Sequence, residues 1–287
     1  MSSPVATSAR LRVRPLRVRD REVALRYLER TPLLNLALID LVLRLGHPRR
    51  RGEARAELLA AWRADALAGL AALQPSVVLD AGADRQALAA LVPAVASVGS
   101  GLVKSTPEVV DPLWTWLEDR GRRALLDRME IGYVRERGEP VPWVPEGWQA
   151  RPARPEDLDA LVFAARASLL EERRPDPFRG DPVGFRQWVR ERLPRATVVG
   201  LEGRVGFVGY ADVQSPRGWL LQGVYTWPDL RRRGVGKAGV AALCRRAFAA
   251  GADHVQLAVV EGNRAAAALY ESLGFRAFAR LRTLLFS

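Results

Sequence analysis

The chain has 287 residues, 48% hydrophobic and 26% charged, which is the composition of a globular protein of one or two domains rather than of a disordered one. One cysteine excludes an internal disulfide, two histidines argue against a metal site, and no apolar run is long enough for a membrane span, so we expect a metal-free cytoplasmic protein. The formal charge of +12 favours nucleic-acid binding, yet all but two of the basic residues are arginines, an excess that we attribute to GC-rich coding.

The first half of the chain shows few clear elements before a break in composition. Helices are predicted at 20–29 and 107–120, and strands at 66–72, 76–80 and 122–133. A stretch rich in proline and glycine then predicts a linker at 139–147. The domains on its two sides are 1–138 and 148–287.

A short sequence occurs in both halves of the chain. Residues 14–20 read RPLRVRD and residues 151–157 read RPARPED, and an amphipathic segment follows each copy. This internal similarity indicates that the two domains begin with the same strand-to-helix connection and have related folds.

The second half alternates strands and helices in a clear order. Strands are predicted at 147–152, 196–202, 205–213, 219–226, 253–260 and 275–286, and helices at 155–171, 183–193, after the loop at 231–238, and from Asn263 to Gly274. This order predicts an α/β fold, a mixed sheet with helices on both faces.

The loop RRRGVGKA at 231–238 lies between a predicted strand and an amphipathic helix. Its two glycines allow a tight turn in which successive backbone N–H groups face one way, and the helix N-terminus behind them favours anions. The loop therefore predicts a phosphate site, with a solvated arginine-rich loop as the alternative.

The pair RRRGVG and NRAAAALYESLGF, preceded by QGVYTWPDL, resembles the acyl-CoA-binding core of the GNAT acetyltransferases. The segments ASLLEERRPDP and LRTLLF, together with RTPLLNLALIDLVLR and TPEVVDPLWTWLEDRG in the first half, resemble a bacterial subgroup with a degenerate GNAT-like domain in front. The resemblance implies tandem GNAT-like domains, each a mixed central sheet flanked by helices, of which only the C-terminal one is complete. The first domain lacks both the glycine turn and the Asn…Leu-Tyr helix.

The resemblance also implies acetyl-CoA as co-substrate and assigns residues to it. The pyrophosphate would be held by the loop, Arg231, Arg232, Arg233, Gly234, Val235, Gly236, Lys237 and Ala238, mainly through backbone N–H groups. The pantetheine arm would pair with the backbone of Val224, Tyr225 and Thr226, and Asn263 would contact the cofactor or cap its helix.

By the same resemblance, Tyr270 is the expected general acid, although its spacing also fits a core aromatic residue. The general base is left open, because the strand at 219–226 contains no carboxylate. Glu171 and Glu172 are the best candidates, with a solvated helix end as the equally weighted alternative, and Asp212 is a poorer one. Cys244 falls on an apolar helix face, so we expect no thiol intermediate.

Together these features predict an acetyl-CoA-dependent N-acetyltransferase that moves the acetyl group directly to a primary amine. The acceptor is open between a small molecule (polyamine, amino acid or aminoglycoside) and a protein N-terminus or lysine. The alternative is a protein without turnover, either an acyl-CoA sensor or an arginine-rich nucleic-acid-binding protein. We expect neither a nucleic-acid nor a membrane partner, because no nucleic-acid motif is present and the arginines are scattered.

Overall fold

A computed structural model describes residues 11–48, 56–74, 76–138 and 147–287. The chain divides into two compact units, one formed by residues 1–128 with 281–287 and the other by residues 129–280. The predicted linker 139–147 lies outside the described residues except for Gly147, so the predicted domain boundaries stay predictions.

The first unit contains a four-stranded antiparallel sheet, in the order β1-β2-β3-β4, with helices packed on it. Its elements in chain order are β1 (Leu11–Pro15), α1 (Arg21–Leu28), α2 (Pro32–Leu43), β2 (Glu57–Arg63), β3 (Ala66–Gln74), β4 (Val78–Leu79), α3 (Arg85–Ala96), β5 (Gly101–Ser105) and α4 (Pro107–Glu118). Residues 281–287 add a strand to this unit, because Arg282–Phe286 pair antiparallel with β5.

The second unit is built around a mixed sheet with the strand order β12-β6-β11-β10-β9-β8-β7. Its elements are β6 (Ala124–Glu136, which begins in the first unit), β7 (Gln149–Pro152), α5 (Leu158–Glu171), α6 (Pro182–Arg192), β8 (Ala196–Leu201), β9 (Arg204–Ser215), β10 (Gly218–Thr226), α7 (Val235–Ala249), β11 (His254–Val260), α8 (Arg264–Glu271) and β12 (Arg276–Phe286, which ends in the first unit). β10 and β11 run parallel, whereas the pairs β7–β8, β8–β9, β9–β10 and β11–β6 are antiparallel. The predicted α/β fold is thus confirmed.

The repeated sequence makes the same contacts in both units. Arg14 pairs with Asp20 and Arg151 with Asp157, each at 2.6 Å between Nη1 and Oδ2. The aspartates also accept the backbone N–H three residues upstream, at 2.9 Å and 2.7 Å, and so fix the turn between strand and helix. Hydrogen bonding from Arg14 lowers the pKa of Asp20; at Asp157 burial alone raises the pKa, but the hydrogen bonds from Arg151 and the backbone outweigh it.

The second sheet buries a different apolar layer on each face, as the two-residue period of β9 requires. Phe207 packs with α7 on one face, and Val208 packs with α5 and α6 on the other. Gly239 lets α7 approach closely, because a Cβ there would lie 2.3 Å from the ring of Phe207. Within the described part of the chain, no helix is both long and apolar enough to cross a membrane.

Candidate active site

β10 and β11 separate partway along their length. They pair at Trp219–Val255 and Leu220–Gln256, and no further β10–β11 pair follows among the described residues. A bulge between Gln222 and Tyr225, with Gly223 at φ +57°, bends β10 at the same place. The side of β10 that faces β11 therefore has backbone available to a ligand at the predicted pantetheine residues.

The turn before α7 presents backbone N–H groups. Arg232 and Gly234 both adopt left-handed conformations, at φ +59° and +80°, and Gly234 is the N-cap residue of α7. Across the described residues, the N–H groups of 232–237 find no well-formed hydrogen-bond acceptor. Free N–H groups at a helix N-terminus form a ready anion site, which is what the sequence predicts for this loop.

The turn lies next to the end of β10. A Cβ on Gly236 would be 2.9 Å from Oγ1 of Thr226, so glycine allows the first turn of α7 to approach the strand. The N-terminal end of α7 and the open part of β10 are consequently adjacent within the second unit.

Asn263 is the N-cap of α8. Its Oδ1 accepts the backbone N–H of Ala266 at 3.1 Å, and the side chain is exposed. The cap alternative is therefore observed, and contact with a cofactor stays a prediction.

Tyr270 lies in the core beside the opening of the sheet. Its side chain is buried, its ring meets that of Phe275 edge to face at 5.7 Å, and its hydrophobic cluster includes Val224 of β10. Burial, followed by the negative charge of Glu172, raises the pKa of Tyr270 and keeps the phenol protonated.

The side chain of Arg231 points to a carboxylate. Its Nη2 lies 2.7 Å and 2.8 Å from the two carboxylate oxygens of Glu171, and its Nε donates to the carbonyl of Thr226 at 3.0 Å. The hydroxyl of Tyr225 donates to Oε1 of Glu171 at 3.4 Å. Burial and then the charge of Glu171 raise the pKa of Tyr225. The structure thus joins a predicted cofactor residue to a predicted catalytic one.

The three other residues considered from the sequence are found ion-paired, buried, or hydrogen-bonded at an exposed helix end. Asp212 is ion-paired with Arg192 at 2.6 Å. Cys244 is buried, which raises the pKa of its thiol to about 12 and makes it a poor nucleophile. Glu172 accepts from Ser168 at 3.3 Å and remains exposed at the end of α5.

Sequence reasoning missed an aromatic group at the same end of β10. Phe163 of α5 and Trp227, which follows β10, stack at 5.6 Å, and Tyr225 meets the ring of Trp227 edge to face at 5.4 Å. The available signal was the position of Phe163, which falls outside the apolar face of its helix. Among the residues that the structure describes, no cluster of three or more potential metal ligands occurs.

Comparison with known proteins agrees with this geometry. Residues 161–275 match the acetyltransferase (GNAT) family, whereas no curated protein matches the chain as a relative. Similar solved structures include a Drosophila protein (16% identity, TM-score 0.70, covering 95% of this chain and 98% of that one). Another is a GCN5-related N-acetyltransferase from Sphaerobacter thermophilus (17% identity, TM-score 0.61, covering 96% of this chain and 95% of that one). A tandem GNAT protein from the clavulanic acid biosynthesis pathway also matches (16% identity, TM-score 0.54, covering 96% of this chain and 98% of that one).

At these identities the structural matches establish the fold, which extends over nearly the whole chain, and the family match places the acetyltransferase domain over the open strand, the turn and Tyr270. The general activity of this family is acyl-CoA-dependent acetyl transfer. Residues 161–275 are therefore an acetyltransferase domain of the GNAT family, and the fold of the chain is similar over nearly its whole length to that of a tandem GNAT protein.

Proposed function

We propose that the second unit transfers the acetyl group of acetyl-CoA directly to a primary amine, with Tyr270 as general acid. The observation that carries this proposal is the opening between β10 and β11, which continues to the unengaged N–H groups of 232–237. Tyr270 packs in the same cluster as Val224, which lies on the open part of β10. One site thus combines an extended edge, an anion receptor and a protonated hydroxyl.

The residues present fit acetyl-CoA as a substrate. Its phosphates match the turn at 232–237, where N–H groups and the positive end of α7 favour negative charge. The exposed side chains of Arg232 and Arg233 add charge at the rim. Its amide-containing arm matches the backbone edge of Val224–Thr226, and an N–H there can stabilise the oxyanion that forms during acyl transfer.

In the proposed step the amine nitrogen forms a bond to the acetyl carbonyl carbon, and the carbon–sulfur bond of the thioester breaks. The leaving thiolate takes the phenolic proton of Tyr270, and the amine nitrogen gives up a proton to a base. Burial raises the pKa of Tyr270, which keeps the proton in place, and it also raises the pKa of a thiolate in the same apolar surroundings.

The end of α5 supplies the base in this proposal. A primary amine is cationic in neutral water and must be deprotonated before it attacks. Glu171 is held beside Tyr225 by Arg231, and Glu172 is next to it on an exposed turn. Either carboxylate can take the proton, directly or through water.

The test is release of CoA thiol by the purified chain, given acetyl-CoA and a panel of primary amines. We expect thiol release that depends on the amine, with equal formation of the N-acetyl product. Tight acetyl-CoA binding without thiol release on any amine would instead support an acyl-CoA sensor.

A further inference from the structure

Phe163, Tyr225 and Trp227 form a compact group of three rings, here called the aromatic platform. Phe163 and Trp227 are stacked, with 22° between their planes, and Tyr225 stands edge-on to both at 6.5 Å and 5.4 Å. The three rings come from α5 and from the end of β10, which are far apart in sequence. The platform is thus assembled by the fold of the second unit.

The outer face of the platform is open. The side chain of Phe163 is 52% exposed, Trp227 is half-buried and Tyr225 is buried. On the same helix, Leu161 and Ala164 face the sheet and are buried, so α5 does not need Phe163 for its packing. An exposed ring stacked on a second ring is a ready surface for a third flat group.

Negative charge lies at one side of the platform. The hydroxyl of Tyr225 contacts Glu171, and Glu172 follows at the C-terminal end of α5, where the helix dipole also favours a cation. The guanidinium of Arg231 lies 5.5 Å from the ring of Tyr225 and holds Glu171 in place through its ion pair on this same side. A ligand on the platform therefore has a flat apolar face beneath it and carboxylates next to it.

We propose that the acceptor is an amine carried on a flat aromatic ring by a short chain, with the ring on the aromatic platform and the ammonium group toward Glu171 and Glu172. This inference rests on the proposed function and specifies its substrate class. Aliphatic polyamines and lysine side chains have the charge but offer no flat face, and Phe163 gains nothing from them beyond apolar contact.

The test compares phenethylamine with cyclohexylethylamine, which has the same chain and a similar apolar surface but a puckered ring. We expect the wild-type chain to favour phenethylamine in kcat/KM by several-fold to about tenfold, the size of one aromatic pair interaction. Phe163→Leu keeps an apolar side chain and loses the flat ring, so the ratio of the two kcat/KM values should fall toward one. The matched control is Leu170→Ala, since Leu170 is 79% exposed on the same helix, and this variant should keep the preference.

The outcomes separate this inference from the proposed function. Thiol release at equal kcat/KM for both amines, or a preference that survives Phe163→Leu, overturns the aromatic acceptor and leaves the acetyl transfer standing. A Phe163→Leu chain with weakened acetyl-CoA binding and unchanged amine preference would mean that the platform holds the adenine of CoA, which also overturns it. No thiol release with any amine overturns the proposed function, and this inference falls with it.

Discussion

The first turns of α3 and α7 show how two related units differ in what they can bind. Both helices follow a strand that pairs with the preceding one, β4 with β3 and β10 with β9. At α3 the N-cap is Asp84, whose Oδ1 accepts the N–H of Ala87 at 2.8 Å and whose Oδ2 pairs with Arg63 at 2.8 Å. At α7 the N-cap is Gly234, which has no side chain to offer.

The two helices differ in whether a side chain of the protein accepts hydrogen bonds from their first backbone N–H groups. In the first unit a carboxylate of the chain itself occupies the position where a helix N-terminus attracts an anion, and the backbone hydrogen bond, followed by Arg63, lowers the pKa of Asp84. In the second unit the turn before α7 has no such carboxylate, and its N–H groups are the proposed phosphate site. The proposed binding site thus consists of backbone N–H groups that have no acceptor of this kind within the chain.

The largest difference between the two units is expected in turnover, from Tyr270→Phe, which removes only the proposed acidic proton. Turnover should fall by about 10²–10⁴-fold while the Kd for acetyl-CoA is unchanged, as measured by thiol release and by calorimetric titration. Tyr27→Phe is the matched control in the first unit, where the hydroxyl donates to the carbonyl of Ala68 at 2.9 Å. That variant should lose stability and keep its turnover, and equal turnover in both variants would reject Tyr270 as the acid.

Alanine substitutions at two glycines distinguish an effect on the proposed phosphate turn from the effect of backbone strain alone. Gly234 and Gly121 have φ of +80° and +82°, so alanine at either position should cost about 1 kcal/mol of unfolding free energy. Gly234→Ala should also weaken acetyl-CoA binding by about tenfold or more, because one displaced N–H loses a charge-assisted hydrogen bond. Gly121→Ala should leave the Kd unchanged, and parallel losses of affinity would place the cofactor elsewhere.

The repeated ion pair gives the next effect, now expected to be equal in both units. Asp20→Asn and Asp157→Asn should each lower the free energy of unfolding by about 1.5–3 kcal/mol at pH 7, since each loses hydrogen bonds to a charged partner. Because folding lowers the pKa of both aspartates, their stabilisation is present above the unfolded pKa of about 3.9 and is lost as pH falls through the folded value. Urea titrations of the wild type and variants should therefore converge toward pH 2, and a gap that persists there would contradict the ion-pair origin.

The smallest effect is expected from Asp84→Ala. Loss of the α3 cap should reduce the unfolding free energy by about 0.5–2 kcal/mol, observable as a lower Tm. Calorimetry should still find one acetyl-CoA per chain, because β4 has two residues and offers no long edge like that of β10. Two bound acetyl-CoA molecules in the wild type would remove the distinction between the units.

Most of the candidate site in the second unit could be predicted from local sequence patterns. The helix after the glycine turn, the Asn263 cap and the buried position of Tyr270 follow from spacing and capping chemistry that act over a few residues. Likewise, the internal sequence similarity predicted the same strand-to-helix connection in both units, which the structure shows together with two matching ion pairs.

What the sequence did not reveal depends on contacts between distant residues or on misleading local patterns. α2 is apolar on nearly all sides and so lacks the amphipathic period of a surface helix, and α3 contains Pro93, a residue that argues against a helix interior. The pairing of Arg231 with Glu171 joins residues 60 positions apart, and no local pattern indicates it. Arg231 therefore looked like a phosphate ligand alone.

The strand formed by residues 281–287 has a consequence for how the chain is made. Leu284 and Phe286 are buried in the hydrophobic core of the first unit, and Arg282 bridges Asp111 and Asp127 there. A ribosome delivers these residues only after it has synthesised residues 129–280, so the first unit cannot complete its core before that segment has been made. The folding of the first unit is thus timed by the synthesis of the second one.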